Sequence, residues 1–214
     1  MNKKEELFER YPELLACEAD IDRALALMIE TYENGGKILV CGNGGSCSDA
    51  QHIVGELMKG FLLKRPMSAA QKKAFEDALG AEEADAFASR LQRGLPAIAL
   101  DGQSALMTAY LNDADPDYVY AQEVFGYGKK EDLLIGISTS GNSKNVVLAM
   151  KAAKALGIRG IALTGAKESK LSALATATVR VPSTETFKIQ ELHLPVYHYL
   201  CAEMEDAFFG ADEP

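Results

Sequence analysis

An α/β fold, with a parallel sheet covered by helices on both faces, is what this 214-residue chain predicts. Three observations carry the prediction. Five short apolar runs, each bounded by turn residues, read as buried strands. Helix-period stretches separate them at roughly 20 to 60 residues, and crossovers of that length imply parallel pairing. Two of the runs pass directly into loops of glycine or small hydroxyl residues, each followed by an amphipathic stretch. In sheets of this kind ligands bind outside the carboxyl ends of the strands, so both loops fall at the same edge.

Taken in order, residues 4 to about 34 predict a long helix, with Pro12 as a local break and Gly35-Gly36 as the stop. Its apolar residues form more than one stripe, suited to packing on its own domain or on another subunit. Lys37 to Cys41 is the first strand, and GNGGS (42, 43, 44, 45, 46) its loop, with Ser46 as the expected N-cap of a helix reaching about Leu63. Residues 67–94 are Ala-rich and charged, without strand character, and predict two helices split at Gly80: an inserted hairpin or lid within one domain spanning 1–214. Pro96 to Leu100 is the second strand. Helices ending near Asp113 and spanning Tyr118 to Gly126 follow. Leu133 to Ile137 is the third strand, Gly160 to Thr164 the fourth, and Thr178 to Val181 the fifth, with a short helix expected from Ser169 to Leu174. A last helix runs from about Thr186 to Phe209.

Composition narrows the function. Apolar residues make up 48% and charged residues 25%, ordinary for a soluble globular protein. A net charge of −9 argues against a nucleic-acid binder, which needs a basic face, but leaves a local phosphate site open. The opening MNKKEELFERYPEL has no apolar core after its charges, and no run approaches the ~20 residues needed to span a bilayer. Cys17, Cys41, Cys47 and Cys201 lack metal or redox spacing. They read as reduced thiols of a cytoplasmic protein.

The second of these loops, STSGNS after the third strand, carries Ser138, Thr139, Ser140 and Ser143, four hydroxyls within six residues at a helix start. Unpaired first-turn N–H groups and the helix dipole make this an anion cradle, of neutral donors plus Lys144 at most. The alternative is an ordinary capped turn. His52 and Glu56, four apart, share one face of the helix that follows GNGGS. In the last helix eight residues turn through about 800°, so Gln190 and His198 lie within about 80° of each other. His193 points elsewhere. Pro195, between them, is expected to kink that helix.

Together CGNGGSCSDAQHIVGEL, LPAIAL, Asn112-Asp113, LLIGISTSGNSKNV, ALTG and RVPS with KIQELH....H resemble the sugar isomerase (SIS) domain family, and within it the phosphoheptose isomerases. The resemblance covers nearly the whole chain except the 67–94 insertion. It implies a flavodoxin-like three-layer αβα sandwich with a five-stranded parallel sheet, assembled as a homotetramer with sites at subunit interfaces. It further implies a phosphosugar substrate, sedoheptulose 7-phosphate, with its phosphate on Ser138, Thr139, Ser140 and Ser143 and other contacts from Asn43, Gly44, Gly45, Ser46, Glu56, Asn112, Asp113 and Gln190. A divalent metal, typically Zn2+, is implied at His52, Glu56, Gln190 and His198, with Glu56 and His198 as the acid/base pair of an aldose–ketose isomerisation. Phe187 stands where some members carry an acidic residue near the sugar. Non-catalytic SIS regulators that bind a replication initiator share the loops but lack the two-helix His/Glu pattern, which this chain keeps. An isomerase of another phosphosugar is the remaining alternative.

Overall fold

In the computed structural model, which describes residues 2–212, five strands form one all-parallel sheet. They are β1 (Ile38–Gly42), β2 (Ala97–Ala99), β3 (Leu133–Ile137), β4 (Arg159–Thr164) and β5 (Ala177–Arg180), in the order β2-β1-β3-β4-β5. This is the flavodoxin-like strand order, in which the direction of winding reverses between β1 and β3. The register pairs Gly42 with Ile137, which places the GNGGS and STSGNS loops side by side at that switch point. The single-domain reading over 1–214 includes residues 1, 213 and 214, which lie outside the described residues.

The helices are α1 (Lys3–Arg10), α2 (Glu18–Glu33), α3 (Gly45–Met58), α4 (Ala69–Leu79), α5 (Ala81–Ala88), α6 (Ser104–Asp113), α7 (Val119–Tyr127), α8 (Lys144–Ala155) and α9 (Thr186–Phe209). Alternation along the strands feeds two cores. Ile38, Val40, Leu133, Ile135 and Ile137 pack with α2, α3 and α9, through Met28, Ile53, Leu57 and Val196. Leu39, Cys41 and Leu134 face the other way, onto Val124 of α7 and Val146 and Met150 of α8. Burying each such side chain contributes about 2 kcal/mol, so both faces must be covered for the sheet to persist.

Four expectations are corrected. The N-terminal segment 4–34 is not one helix: Pro12 opens a 3-10 stretch (Pro12–Cys17) that divides α1 from α2. Proline cannot donate the bond that α1 would need there, and it suits the first turn of the next element instead. α3 stops at Met58, not near Leu63. Its N-cap is Gly44, at φ 57, not Ser46, which lies buried in the first turn. Residues 170–174 form a turn and no continued helix: Ser169 and Ser172 exchange backbone N–H bonds through their hydroxyls at 3.1 and 2.9 Å, as a capping box does, but the next free amide, Thr176 N–H, goes to Gly160 O at 2.7 Å and takes the chain into β5. Residues 67–94 hold two helices, α4 and α5, paired as a hairpin. Ser68 and Gln71 form a capping box, Gly80 at φ 89 divides the helices, and Phe75 meets Phe87 with ring centroids 5.1 Å apart.

Gly42 shows how tightly the first loop is built. A Cβ there would stand 2.5 Å from the Ser46 carbonyl oxygen, a backbone atom of α3. Gly42→Ala is therefore expected to destabilise the fold by about 2 kcal/mol, read from the urea midpoint at unchanged m-value.

Candidate active site

The two loops are joined by a reciprocal amide pair. Asn43 donates to Asn145 Oδ1 at 2.8 Å, and Asn145 donates to Asn43 Oδ1 at 2.9 Å. Gly44 and Gly45 follow, exposed at the head of α3. A Cβ on Gly45 would meet the Gln190 amide nitrogen at 2.4 Å, so glycine lets α9 bring Gln190 against this loop.

In the second loop Ser138 Oγ lies 2.9 Å from Ser143 Oγ, and Ser140 Oγ accepts the Asn142 N–H at 3.1 Å. Gly141, at φ 64, turns the chain. Thr139 O accepts the Gly165 N–H at 3.0 Å, fixing the loop to the end of β4. Ser143 is the N-cap of α8 but makes no side-chain cap bond; the Val146 N–H goes to Asn145 Oδ1 at 3.0 Å, which leaves the N–H groups of Lys144 and Asn145 as the first-turn donors for an anion. Lys144 is turned away onto Asp117. The cradle is thus neutral dipoles, without the lysine the sequence allowed for.

Two turns along α3 from Gly45, a rise of about 10 Å, the chemistry changes. His52 Nε2 is 3.1 Å from Glu56 Oε1, and the ring centroids of His52 and His198 are 4.9 Å apart. Tyr197 donates to Asp49 Oδ1 at 3.2 Å, and His52 Nδ1 lies 3.0 Å from the same hydroxyl. One hydroxyl proton serves one acceptor, so with Asp49 receiving it, His52 Nδ1–H donates to Tyr197. The chain Asp49–Tyr197–His52 then aims Nε2 at Glu56. A lone pair cannot face a carboxylate oxygen at that distance, so a proton or a cation belongs between them. Lys59 flanks the other Glu56 oxygen at 3.2 Å.

His198 Nε2 is buried and without a partner among the described residues. Burial pushes the His198 pKa below its ordinary value, as do His52 and Arg10, against the attraction of Glu56. Its ring is therefore held uncharged near neutral pH. A cleft of about 450 Å³ opens beside it, bounded by Leu7, Arg10, Phe61, Leu194 and Tyr199.

The structure thus gathers His52, Glu56 and His198. Gln190 sits at the GNGGS loop, and α9 continues through Pro195 as one helix. Among the described residues no group of three His, Cys, Asp or Glu side chains stands as a metal-binding cluster. Asn112 donates to Asp113 at 2.7 Å on exposed α6, with no bond to the other site residues among those described. Phe187 is exposed, with Lys188 over its ring. His193 is a core residue: its Nε2 contacts the Thr164 carbonyl at 3.3 Å, and burial takes its pKa down to about 4. The sequence reading missed Asp49, Tyr197 and Asn145. Asp49 stands three residues before His52, on the same helical face, and that spacing was the available signal.

Comparison with known proteins identifies the family. The SIS domain matches residues 9–89 and 80–165, so the chain belongs to the SIS domain family. Its relatives narrow the group. The phosphoheptose isomerase of Helicobacter pylori strain P12 is 40% identical over 188 residues, 88% of this chain and 84% of that protein. That of Aneurinibacillus thermoaerophilus is 37% identical over 189 residues, covering 88% and 82%. The structure of a phosphoheptose isomerase from Francisella tularensis superposes with a TM-score of 0.73 at 33% identity, covering 92% of each chain.

Proposed function

We infer that this chain is a phosphoheptose isomerase, interconverting sedoheptulose 7-phosphate and D-glycero-D-manno-heptose 7-phosphate. The observation that carries this is the placement of an imidazole–carboxylate cluster on the helix that grows out of the anion-cradle edge. The hydroxyls of Ser138, Thr139, Ser140 and Ser143 and the head of α8 hold the phosphate, and Asn43, Gly44, Gly45, Ser46 and Gln190 border the sugar. Glu56 takes the proton from C1 of the ketose and returns it to C2, passing through an enediol. His198, uncharged, carries the O1 proton to O2.

His52, Glu56 and His198 would hold a Zn2+ ion, with Gln190 as a fourth ligand only once its amide leaves Gly45: the Nε2–Oε1 approach takes a proton or a cation, His198 Nε2 has no partner among the described residues, and imidazole and carboxylate suit zinc. Bound there, the metal would polarise the substrate oxygens. The active unit is a homotetramer with shared sites. In support, α6 buries no residue of its own in the single chain, and Phe125 on α7 is 69% exposed. No described helix is long and apolar enough to cross a membrane, and the four cysteines are unpaired, in keeping with a cytoplasmic enzyme.

The test is turnover. Purified protein given sedoheptulose 7-phosphate, with and without zinc, is expected to yield the aldoheptose phosphate by NMR, carrying solvent deuterium at C2 in D2O. No product under either condition sinks the reading.

A further inference from the structure

α3 ends where it does because of a residue that the reaction does not use. The last carbonyls of a helix need partners from elsewhere. Here Arg65 supplies two of them, Nη2 donating to Glu56 O at 3.0 Å and Nη1 to Leu57 O at 2.7 Å. Its Nε donates to Glu205 Oε1 at 2.7 Å, and both side chains are wholly buried. Glu205 in turn collects three consecutive backbone N–H groups: Phe61 at 2.8 Å on Oε1, then Leu62 at 2.6 Å and Leu63 at 2.8 Å on Oε2. Burial pushes the Glu205 carboxyl up, but the three amides and the guanidinium outweigh it, so its pKa lies below the ordinary value. Every polar atom of this network therefore faces a donor or acceptor suited to its charge.

Each end of the network reaches the reacting groups. Glu56 is held through its own backbone. Phe61, fixed by Glu205, lays its ring against His198 with centroids 5.6 Å apart. Glu205 is seven residues beyond His198, two turns along the same face of α9. The base of the inserted hairpin is fastened to the same segment, by Arg93 N–H on Arg65 O at 2.7 Å and Gly60 N–H on Gln92 Oε1 at 2.7 Å.

A buried ion pair contributes little net stability over an apolar pair of the same shape, because desolvation offsets the attraction. Stability alone is therefore a weak account of this one. We propose that Arg65 and Glu205 are positioning residues, a clamp that sets Glu56 and the Phe61–His198 contact for proton transfer. A misplacement of about 1 Å at a reacting group can cost about 10²-fold in rate. The proposal rests on the isomerase reading above.

Arg65→Lys keeps the charge but lacks the planar fork that reaches both carbonyls and Glu205. Glu205→Gln keeps the shape and loses the charge. Each is expected to lower kcat about 10- to 100-fold with KM within about twofold. Each is also expected to speed hydrogen exchange in the peptide containing residues 61–63, slow in the wild type. A lowered Tm with kcat unchanged for the folded protein overturns the clamp, as does rapid exchange at 61–63 in the wild type. Should Arg65→Lys fail to fold, Glu205→Gln and the wild-type exchange decide. Absence of wild-type turnover counts against the reaction, not the clamp, and exchange at 61–63 then decides the clamp alone.

Discussion

Glu56→Gln will lower kcat by about 10³-fold or more while leaving the protein folded. The amide is isosteric and can still bond His52, so the 3.1 Å contact and the packing of α3 survive. What it loses is the ability to take a proton from carbon. The effect must therefore appear in the chemical step, with KM changed by only a few fold. Proton exchange offers the sharper reading. If Glu56 removes the C1 proton, the variant will also stop the wash-in of solvent deuterium at C1 of the ketose, which does not require complete turnover. A variant that turns over at the wild-type rate removes Glu56 from the mechanism. One that still exchanges deuterium but forms no aldose would place Glu56 later, at proton return to C2.

Strands and long helices were legible because their signals are local. Buried runs such as Leu133 to Ile137 name themselves by apolarity and flanking turns, and the last helix begins and ends where its 3.6-residue period does. The same-face pairing of His52 with Glu56 follows from helix geometry, and their contact from the four-residue spacing. What was illegible depends on partners distant in sequence. The end of α3 is set by Arg65 and by Glu205, which lies well over a hundred residues from the loop it closes. Gly60, one residue past the cap of α3, was the one local stop signal, and the apolar period beyond it carried the expected helix on to Leu63. Tyr197 carried no signal of its own in the last helix, although its hydroxyl organises Asp49 and His52. Gln190 was grouped with His198 by angle alone, and the fold adds that its amide lies over Gly45. Angular phase on one helix says which side a residue faces but not which element waits there.

One buried carboxyl lies outside both the site and the clamp, and it makes stability depend on pH. Glu123 of α7 is 1% exposed, and neither carboxylate oxygen has a partner among the described residues. Burial, and then the nearby Asp101, raise its pKa from 4.5 to about 7. The folded protein therefore holds this proton up to about pH 7, whereas the unfolded chain releases it near 4.5. Between those values the unfolded state binds fewer protons, so stability falls as pH rises. The contribution is fully present below pH 4.5 and lost by pH 8, and the interval corresponds to about 3 kcal/mol. Other groups titrate over the same range, so the wild-type curve alone decides nothing. Glu123→Gln keeps the volume and removes only this titration. Urea unfolding of both proteins at pH 4.5 and pH 8 is expected to show the glutamine variant gaining about 3 kcal/mol on the wild type between the two pH values. Any fixed cost of an unpaired amide at position 123 cancels in that difference. A difference below about 0.5 kcal/mol would mean that Glu123 is charged in the fold and finds a cation or water there, and the buried neutral carboxyl would be refuted.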